Sequence, residues 1–272
     1  MLKLNGTLVL VGAGKMGGAL LEGWLKGGAA PAKIVALDPS PPAEVKAMLE
    51  TKGVRLNPPV AGITDAEVII IAVKPQLMED VLPGIVTLKA SRPLILSVAA
   101  GKTIASFERH FGADAAVIRT IPNTPAAVGR GITAMATNPH VTAAQLELAR
   151  TLLSAVGEVV TVENEAMIDA VTAVSGSGPA YVFYLTECLA AAGEKAGLPA
   201  ALAMQLARAT VAGSGELMRQ SGIAAATLRQ NVTSPKGTTY AALQILMAED
   251  GMQPLFDKAI DAATRRSREL AS

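Results

Sequence analysis

One segment of the sequence predicts the architecture of the first half of the chain: Thr7-Leu8-Val9-Leu10-Val11-Gly12-Ala13-Gly14-Lys15-Met16-Gly17. Its apolar part predicts a buried strand, and an amphipathic helix is predicted directly after the glycines, over 16–26. Gly-x-Gly-x-x-Gly between a strand and a helix is typical of a dinucleotide-binding turn, whose phosphates lie at the helix N-terminus. We therefore expect a turn that contacts a cofactor through Gly12, Ala13, Gly14, Lys15, Met16 and Gly17.

Short apolar runs alternate with helical segments up to about residue 162. The runs are 8–11, 34–37, 68–73, 94–98, 116–118, 132–135 and 159–162, and clear helical segments are 16–26, 43–51 and 143–153. Runs without polar alternation indicate strands that are covered on both faces. The pattern predicts an α/β fold with a Rossmann-type, doubly wound parallel sheet.

The strand pattern ends near residue 164, and alanine-rich helices are predicted beyond it. Their predicted ranges are 164–174, 179–196, 199–219, 223–230, 235–248 and 252–270. Helices faced with alanine bury little area each, so they pack closely and need a second chain to complete a core. We expect a dinucleotide-binding domain over 1–163 and an all-α dimerisation and substrate domain over 164–272.

Composition excludes several classes of protein. Of the 272 residues, 50% are hydrophobic and 17% charged, which excludes a disordered chain. The net charge of +1 argues against a nucleic-acid partner. A single cysteine, Cys188, allows no intrachain disulfide or cysteine metal site, and it fits a reducing cytoplasm. No apolar stretch approaches the roughly 20 residues of a membrane helix.

The choice between the two nicotinamide cofactors stays open on the residues alone. Asp38 ends the second predicted strand, where a carboxylate accepts hydrogen bonds from ribose and repels a 2′-phosphate, which favours NAD(H). Ser40 can donate to a phosphate, and Lys33 or Lys46 can supply charge, so NADP(H) is equally open. Alternatively, Asp38 only caps an Asp-Pro turn.

Two loops at strand ends are candidates for the nicotinamide side of the site. Ligands in open α/β sheets lie beyond the carboxyl ends of the strands, and small residues there let a flat ring approach. For Lys74 an exposed loop position is the rival interpretation. The candidate residues are Ala72, Val73, Lys74, Pro75, Val98, Ala99 and Ala100.

The segment Asn231-Val232-Thr233-Ser234-Pro235-Lys236-Gly237-Thr238-Thr239 predicts an anion site. We interpret Ser234 as a helix N-cap and Pro235 as the first helical residue. With Gly237 instead of Glu at the third position, no capping box forms, and the amides of 236–238 are left to bind a carboxylate. Thr239 adds a hydroxyl just inside the helix; the rival interpretation is an ordinary capped helix.

The sequence offers no good general base. Only two histidines are present, His110 and His140, and neither lies in a catalytic motif. Oxidation of an alcohol requires a base that removes the hydroxyl proton. A substrate that carries its own proton, such as an iminium ion, is therefore the easier one to accept.

Together these motifs resemble those of the pyrroline-5-carboxylate reductases, along nearly the whole chain. The matching segments are Ala-Val-Lys-Pro at 72–75, Ala-Ala-Gly at 99–101, Asn-Thr-Pro at 123–125, Ser-Gly-Ser-Gly-Pro-Ala-Tyr at 175–181 and 231–239. The resemblance implies reduction of 1-pyrroline-5-carboxylate to L-proline, with NADPH favoured over NADH. It also implies a homodimer, often assembled into a homodecamer, with each active site between one subunit's Rossmann domain and its partner's helices.

The resemblance also implies roles for individual residues. Thr239 is the catalytic candidate, and the substrate would be bound by Glu165, Asn231, Val232, Ser234, Gly237 and Thr238. Three positions depart from the family pattern: Asn164 replaces an acidic residue, Lys236 replaces a glycine, and 223–225 replaces a Glu-His-Pro segment.

Two alternatives use a similar plan of domains. The β-hydroxyacid dehydrogenases carry a catalytic lysine early on the long helix of the second domain, whereas 179–185 contains none, so this activity is disfavoured. A dimeric NAD(P)-binding sensor would keep the fold without chemistry. The segment 231–239 argues against a sensor, because a sensor has no evident need for a carboxylate-binding turn.

Overall fold

The computed structural model describes residues 2–271, which form two compact units. The first extends through Gly176 and includes the chain from Thr264 onward, and the second is Ser177–Ala263. The segment 164–176 thus belongs with the sheet rather than with the helices that follow. The domain division after residue 163, in the sense of independently folding parts, stays a prediction.

The first unit is built on an eight-stranded sheet. Its strands are β1 (Thr7–Val11), β2 (Ile34–Leu37), β3 (Arg55–Leu56), β4 (Ala66–Ile71), β5 (Leu94–Ser97), β6 (Val117–Ile121), β7 (Gly131–Thr137) and β8 (Gly157–Thr161). They lie in the order β3-β2-β1-β4-β5-β6-β7-β8. The predicted Rossmann-type doubly wound sheet is confirmed. An entirely parallel sheet is wrong, because β7 runs antiparallel to β6.

Helices cover both faces of this sheet. They are α1 (Lys15–Lys26), α2 (Ala43–Lys52), α3 (Met78–Ile85), α4 (Ile104–Phe111), α5 (Ala143–Leu153) and α6 (Ile168–Val171), the last continuing into a π-helical turn, Thr172–Gly176. Along β1, Leu8 and Leu10 belong to one apolar cluster, whereas Val9 and Val11 belong to the other. The strand is apolar throughout because both of its faces are buried.

The glycine-rich turn joins β1 to α1 and packs the first turn of the helix directly against the backbone that follows the strand. Gly12 has φ +91°, a conformation that glycine adopts without strain, and its amide donates to Leu37 O at 2.9 Å. A Cβ atom at Gly17 would clash with Gly12 O, so the helix can lie this close only without a side chain there. A Cβ at Gly14 would meet no atom within 4 Å.

Both edges of the sheet are short or covered. β3 has only two residues, and it was not predicted from the sequence. At the other edge, the Arg150 guanidinium on α5 donates to Val159 O at 3.4 Å and to Thr161 Oγ1 at 3.1 Å, both on β8. These contacts occupy acceptors that an edge strand otherwise exposes.

The second unit is helical. It contains α7 (Gly178–Lys195), α8 (Ala200–Ser221), α9 (Ala225–Asn231), α10 (Thr238–Leu246) and the first part of α11 (Met252–Ala271). Throughout 177–263, all of which the structure describes, only Ala190, Ala203 and Ala207 are buried. The predicted alanine-faced helices are confirmed, and a single unit leaves most of their apolar side chains exposed.

A pair of glycine substitutions tests the close approach in the turn. We expect Gly17→Ala to lower the free energy of unfolding by about 2–3 kcal/mol, because its Cβ forces α1 away from β1. Gly14→Ala, the matched control, meets no clash and should lower it by less than about 1 kcal/mol, the cost of a poorer N-cap residue. Urea denaturation at one protein concentration measures both, and equal losses would contradict the proposed clash.

Candidate cofactor and substrate sites

A cleft of about 670 Å³ lies beyond the carboxyl ends of β1, β2 and β4. This is the edge of a doubly wound sheet at which ligands bind. Seven of the predicted cofactor-binding residues line it: Gly12, Gly14, Asp38, Ser40, Ala72, Val73 and Lys74. Residues 14 and 74 are 60 positions apart in the chain, and only the sheet topology brings them to one cleft.

The start of α1 is suited to an anion. Gly14 is its N-cap residue, with no side-chain hydrogen bond, and the first intrahelical amide is that of Gly18, which donates to Gly14 O at 2.7 Å. The amides of 15–17 therefore have no acceptor within the helix. Since a Cβ at Gly14 would enter open space, a pyrophosphate fits against this turn.

The Asp38 carboxylate is hydrogen-bonded to the glycine-rich turn and is not free in the cleft. Its Oδ2 accepts the Ala13 amide at 2.7 Å, and its Oδ1 accepts the Ser40 amide at 2.8 Å. The Asn57 side chain makes two hydrogen bonds with the backbone of Asp38. Its Oδ1 accepts from the Asp38 amide at 2.8 Å, and its Nδ2 donates to the Asp38 carbonyl at 2.7 Å. Asn57 also lines the cleft and has φ +49°, yet sequence reasoning missed it. Its position before Pro58-Pro59 was the available signal.

The lysines proposed to contact a 2′-phosphate lie elsewhere. Lys33 precedes β2, at the opposite end of the strand, where its Nζ donates to Asn5 O at 2.8 Å. Lys46 is exposed on α2 and does not line the cleft. The prediction that Lys33 supplies charge near Asp38 is therefore wrong, because the lysine belongs to the amino end of the strand.

Several predicted cofactor residues do not line the cleft. Ala13 and Gly17 are buried in the turn, and Lys15 faces a separate groove beside α1. The others outside the lining are Met16, Pro75, Val98, Ala99 and Ala100. Their contact with a cofactor stays a prediction.

The loop after β5, residues 98–103, is held from several sides. The Ala99 amide donates to Ser97 Oγ at 3.2 Å, and Lys102 Nζ donates to Glu79 on α3 at 3.3 Å. This hydrogen bond and the charge of Lys102 hold the pKa of the Glu79 carboxyl below its ordinary value. The Ile104 amide, which begins α4, donates to Glu165 Oε1 at 2.8 Å.

Glu165 is paired with a buried arginine. The same Oε1 accepts from Arg119 Nη1 at 2.8 Å, and the Arg119 side chain is only 3% exposed. Within the described residues, Arg119 Nε and Nη2 have no hydrogen-bond partner. Sequence reasoning missed Arg119, and the signal was a charged residue that directly follows the apolar run 116–118.

The segment 231–239 lies in the second unit and differs from its predicted geometry. Helix α10 begins at Thr238 with Gly237 as its N-cap residue, so Ser234 and Pro235 do not start it. They form a turn instead, in which the Gly237 amide donates to Ser234 O at 3.0 Å. Of the three amides expected to be free, that of Gly237 is therefore occupied.

Helix α10 nevertheless begins without a side-chain cap, three residues later than predicted. The first intrahelical bond of α10 runs from the Ala241 amide to Gly237 O at 3.1 Å, so the amides of 238–240 have no acceptor within the helix. Gly237 contributes no capping side chain, and Thr239 is half-buried beside these amides. Lys236 occupies the turn with φ +60°, a conformation unusual for a residue other than glycine.

Neither a membrane helix nor a metal cluster is found among residues 2–271. No helix there has the length and apolar character needed to cross a bilayer. Across the same residues, no three His, Cys, Asp or Glu side chains are grouped so that they could hold a metal ion.

Comparison with known proteins identifies the family. Residues 165–270 match the model described as pyrroline-5-carboxylate reductase dimerisation, and residues 7–101 match NADP oxidoreductase, coenzyme F420-dependent. The chain is 40% identical to the pyrroline-5-carboxylate reductase of Pseudomonas aeruginosa, covering 97% of this chain and 96% of that protein. It is 41% identical to that of Synechocystis, covering 97% of each.

Solved structures agree over the full length. A pyrroline-5-carboxylate reductase from Coxiella burnetii superposes with a TM-score of 0.91 at 32% identity, covering 99% of this chain and all of that one. The Plasmodium falciparum pyrroline carboxylate reductase with NADP bound gives 0.80 at 27% identity, covering 98% and 99%. With this fold and these relatives, the chain belongs to the pyrroline-5-carboxylate reductase family.

Proposed function

We propose that the protein reduces 1-pyrroline-5-carboxylate to L-proline with a reduced nicotinamide cofactor, the last step of proline synthesis. The observation that carries the proposal is the start of α10, where a glycine N-cap leaves the amides of 238–240 without helical acceptors. A ring carboxylate is the anion that fits such a turn. The family membership of the chain supports the same substrate.

The residues act by binding and orientation. A reduced nicotinamide bound in the cleft would supply a hydride to the carbon of the C=N bond, and the ring nitrogen either arrives protonated or takes a proton from water. The amides at 238–240 hold the carboxylate, and the Thr239 hydroxyl hydrogen-bonds the ring nitrogen. Because no base is needed, most of the acceleration comes from positioning. We assign the remaining substrate contacts to Asn231, Val232, Ser234 and Gly237.

We propose that the enzyme is at least a homodimer. Its helical unit buries three alanines only, and large apolar side chains such as Phe183 and Tyr184 on α7 are exposed. An apolar groove of about 590 Å³ lies beside them, lined by residues of α7 and α11. The match to a dimerisation model over 165–270 supports a second copy of the chain as the partner. The single cysteine supports a cytoplasmic location.

NADPH is the proposed preferred donor. Both carboxylate oxygens of Asp38 accept backbone amides, so the group is directed at the glycine turn rather than left free for ribose hydroxyls. Ser40 lines the cleft with a hydroxyl that can donate to a phosphate. The family model over 7–101 and the NADP complex of the Plasmodium falciparum relative support the same cofactor.

Thr239 is tested by removing its hydroxyl. Thr239→Val should lower kcat/KM for 1-pyrroline-5-carboxylate by about 10- to 100-fold, because the hydrogen bond to the ring nitrogen is lost in the transition state. Thr239→Ser should retain most activity. Thr151→Val is the control, because Thr151 is at an exposed position of α5 and its hydroxyl donates to Glu147 O. Full activity in Thr239→Val would refute the role of the threonine.

Cofactor choice is tested by adding charge at Ser40. The wild-type protein should show a higher kcat/KM with NADPH than with NADH. Ser40→Glu should lower the NADPH value roughly tenfold or more, since like charges repel, and change the NADH value by less than about threefold. Thr51→Glu adds the same charge on exposed α2 as a control. An equal loss of kcat/KM with NADPH and NADH in Ser40→Glu would contradict the assignment of Ser40 to the 2′-phosphate.

Assembly is tested by light scattering after size-exclusion chromatography. The wild-type protein should elute with at least twice the 27.8 kDa subunit mass. Phe183→Glu, at a side chain 62% exposed in one chain, should shift it toward the monomer, because a charge buried between subunits is strongly unfavourable. Val128→Glu, 75% exposed in the first unit, is the control. A monomeric wild-type protein would contradict the proposal.

A further inference from the structure

We propose that Arg119 and Glu165 form a positioning pair that holds the loop 98–103 for hydride transfer. The inference rests on the proposed function, and it assigns Glu165 a role other than the substrate contact that the family resemblance implies. Neither residue lines the cofactor cleft, so both would act through the backbone that they hold.

Arg119 is a charge in an apolar setting. It lies in the middle of β6, on the same sheet face as Val117 and Ile121, both of which are buried in apolar clusters. In the described part of the chain, Glu165 supplies its one ion pair and the acceptor for Nη1, while two further nitrogens have no acceptor. Because the Arg119 side chain is 3% exposed, loss of Glu165 would leave a buried charge unpaired, so the arginine favours the position in which it meets this carboxylate.

Glu165 transmits this position to the end of the loop. Its Oε1 receives both Arg119 Nη1 and the Ile104 amide, each at 2.8 Å. The Ile104 amide belongs to the first residue of α4, where the helix dipole favours a negative charge. The Glu165 side chain is 30% exposed, and Oε1, the oxygen that contacts Arg119, also accepts the Ile104 amide.

The neighbouring residue of β6 holds the other end of the loop. Thr120 Oγ1 donates to Ser97 O at 2.8 Å, and Ser97 Oγ in turn accepts the Ala99 amide at 3.2 Å. Two consecutive residues of one strand thus anchor the start and the end of 98–103. Between the anchors, Gly101 has φ +73° and reverses the chain.

The consequence for the reaction is geometric. The loop carries Val98, Ala99 and Ala100, which we assign to the nicotinamide side. If the Ile104 anchor loosens, these residues shift, and an error of about 1 Å in the approach of the reacting atoms can cost roughly 100-fold in rate. Loss of the pair should therefore lower kcat, while the cofactor, held at the glycine turn and Ser40, binds as before.

The test uses Glu165→Gln, Arg119→Met and the double variant in the full-length protein. Glutamine keeps an acceptor for the Ile104 amide but leaves the buried Arg119 charge unpaired, whereas the double variant removes both charges and is the variant most apt to fold. Glu108→Gln is the matched control: it makes the same change later on α4, where Glu108 accepts from Asn138 Nδ2 at 2.9 Å. The measurements are kcat, KM, the dissociation constant for NADPH, and amide hydrogen exchange over 99–104.

We expect Glu165→Gln to lower kcat about tenfold and to speed exchange over 99–104, with KM and NADPH binding within about twofold. The double variant should lose no more than the worse single variant, because the two residues act as one unit. A rise in KM alone, or losses that multiply in the double variant, would overturn the inference in favour of direct substrate contact. An inactive wild-type protein with faster exchange in Glu165→Gln would instead refute the proposed function and retain the pair.

Discussion

The hydrogen bond from the Ala13 amide to Asp38 Oδ2, 2.7 Å long, joins the two parts of the cleft. It ties the glycine turn after β1 to the end of β2, two strands that are neighbours in the sheet. With Gly17 packed on Gly12 O, this bond sets where α1 begins and where its free amides point. Asp38 is therefore a structural element of the cleft, since both of its carboxylate oxygens accept backbone amides.

A helix start without a side-chain cap occurs at two places that bear on function. Helices α1 and α10 both begin after a glycine N-cap that makes no side-chain hydrogen bond, Gly14 in one case and Gly237 in the other. A serine or aspartate at these positions would satisfy the first amides and stabilise the free protein. Glycine leaves them unoccupied, so two helices in separate units each begin with amides that have no helical acceptor. We propose a pyrophosphate as the anion at the first and the substrate carboxylate as the anion at the second.

The hydrophobic pattern of the sequence predicted most of the helices and strands. The features that it missed depend mainly on contacts between residues distant in the chain. The helix expected over 143–153 is found at those bounds. The start of α10 was predicted three residues too early, because Ser234-Pro235 fits a β-turn as well as a helix start, and φ +60° at Lys236 decides for the turn. Arg119 was missed because its partner, Glu165, is 46 residues away. The direction of β7 was also missed, although the connection 122–130 is too short for the crossover helix that a parallel neighbour of β6 requires.

The ends of the sheet limit how this protein can associate. An exposed, regular edge strand can pair with another chain and lead to continuous β-structure. Here β3 has only two residues to pair, and the Arg150 guanidinium occupies one backbone carbonyl of β8, that of Val159. Strand β8 also carries the exposed charge of Glu158. Strand pairing between copies of this sheet is thus restricted to the two residues of β3 and to the part of β8 that Arg150 leaves open.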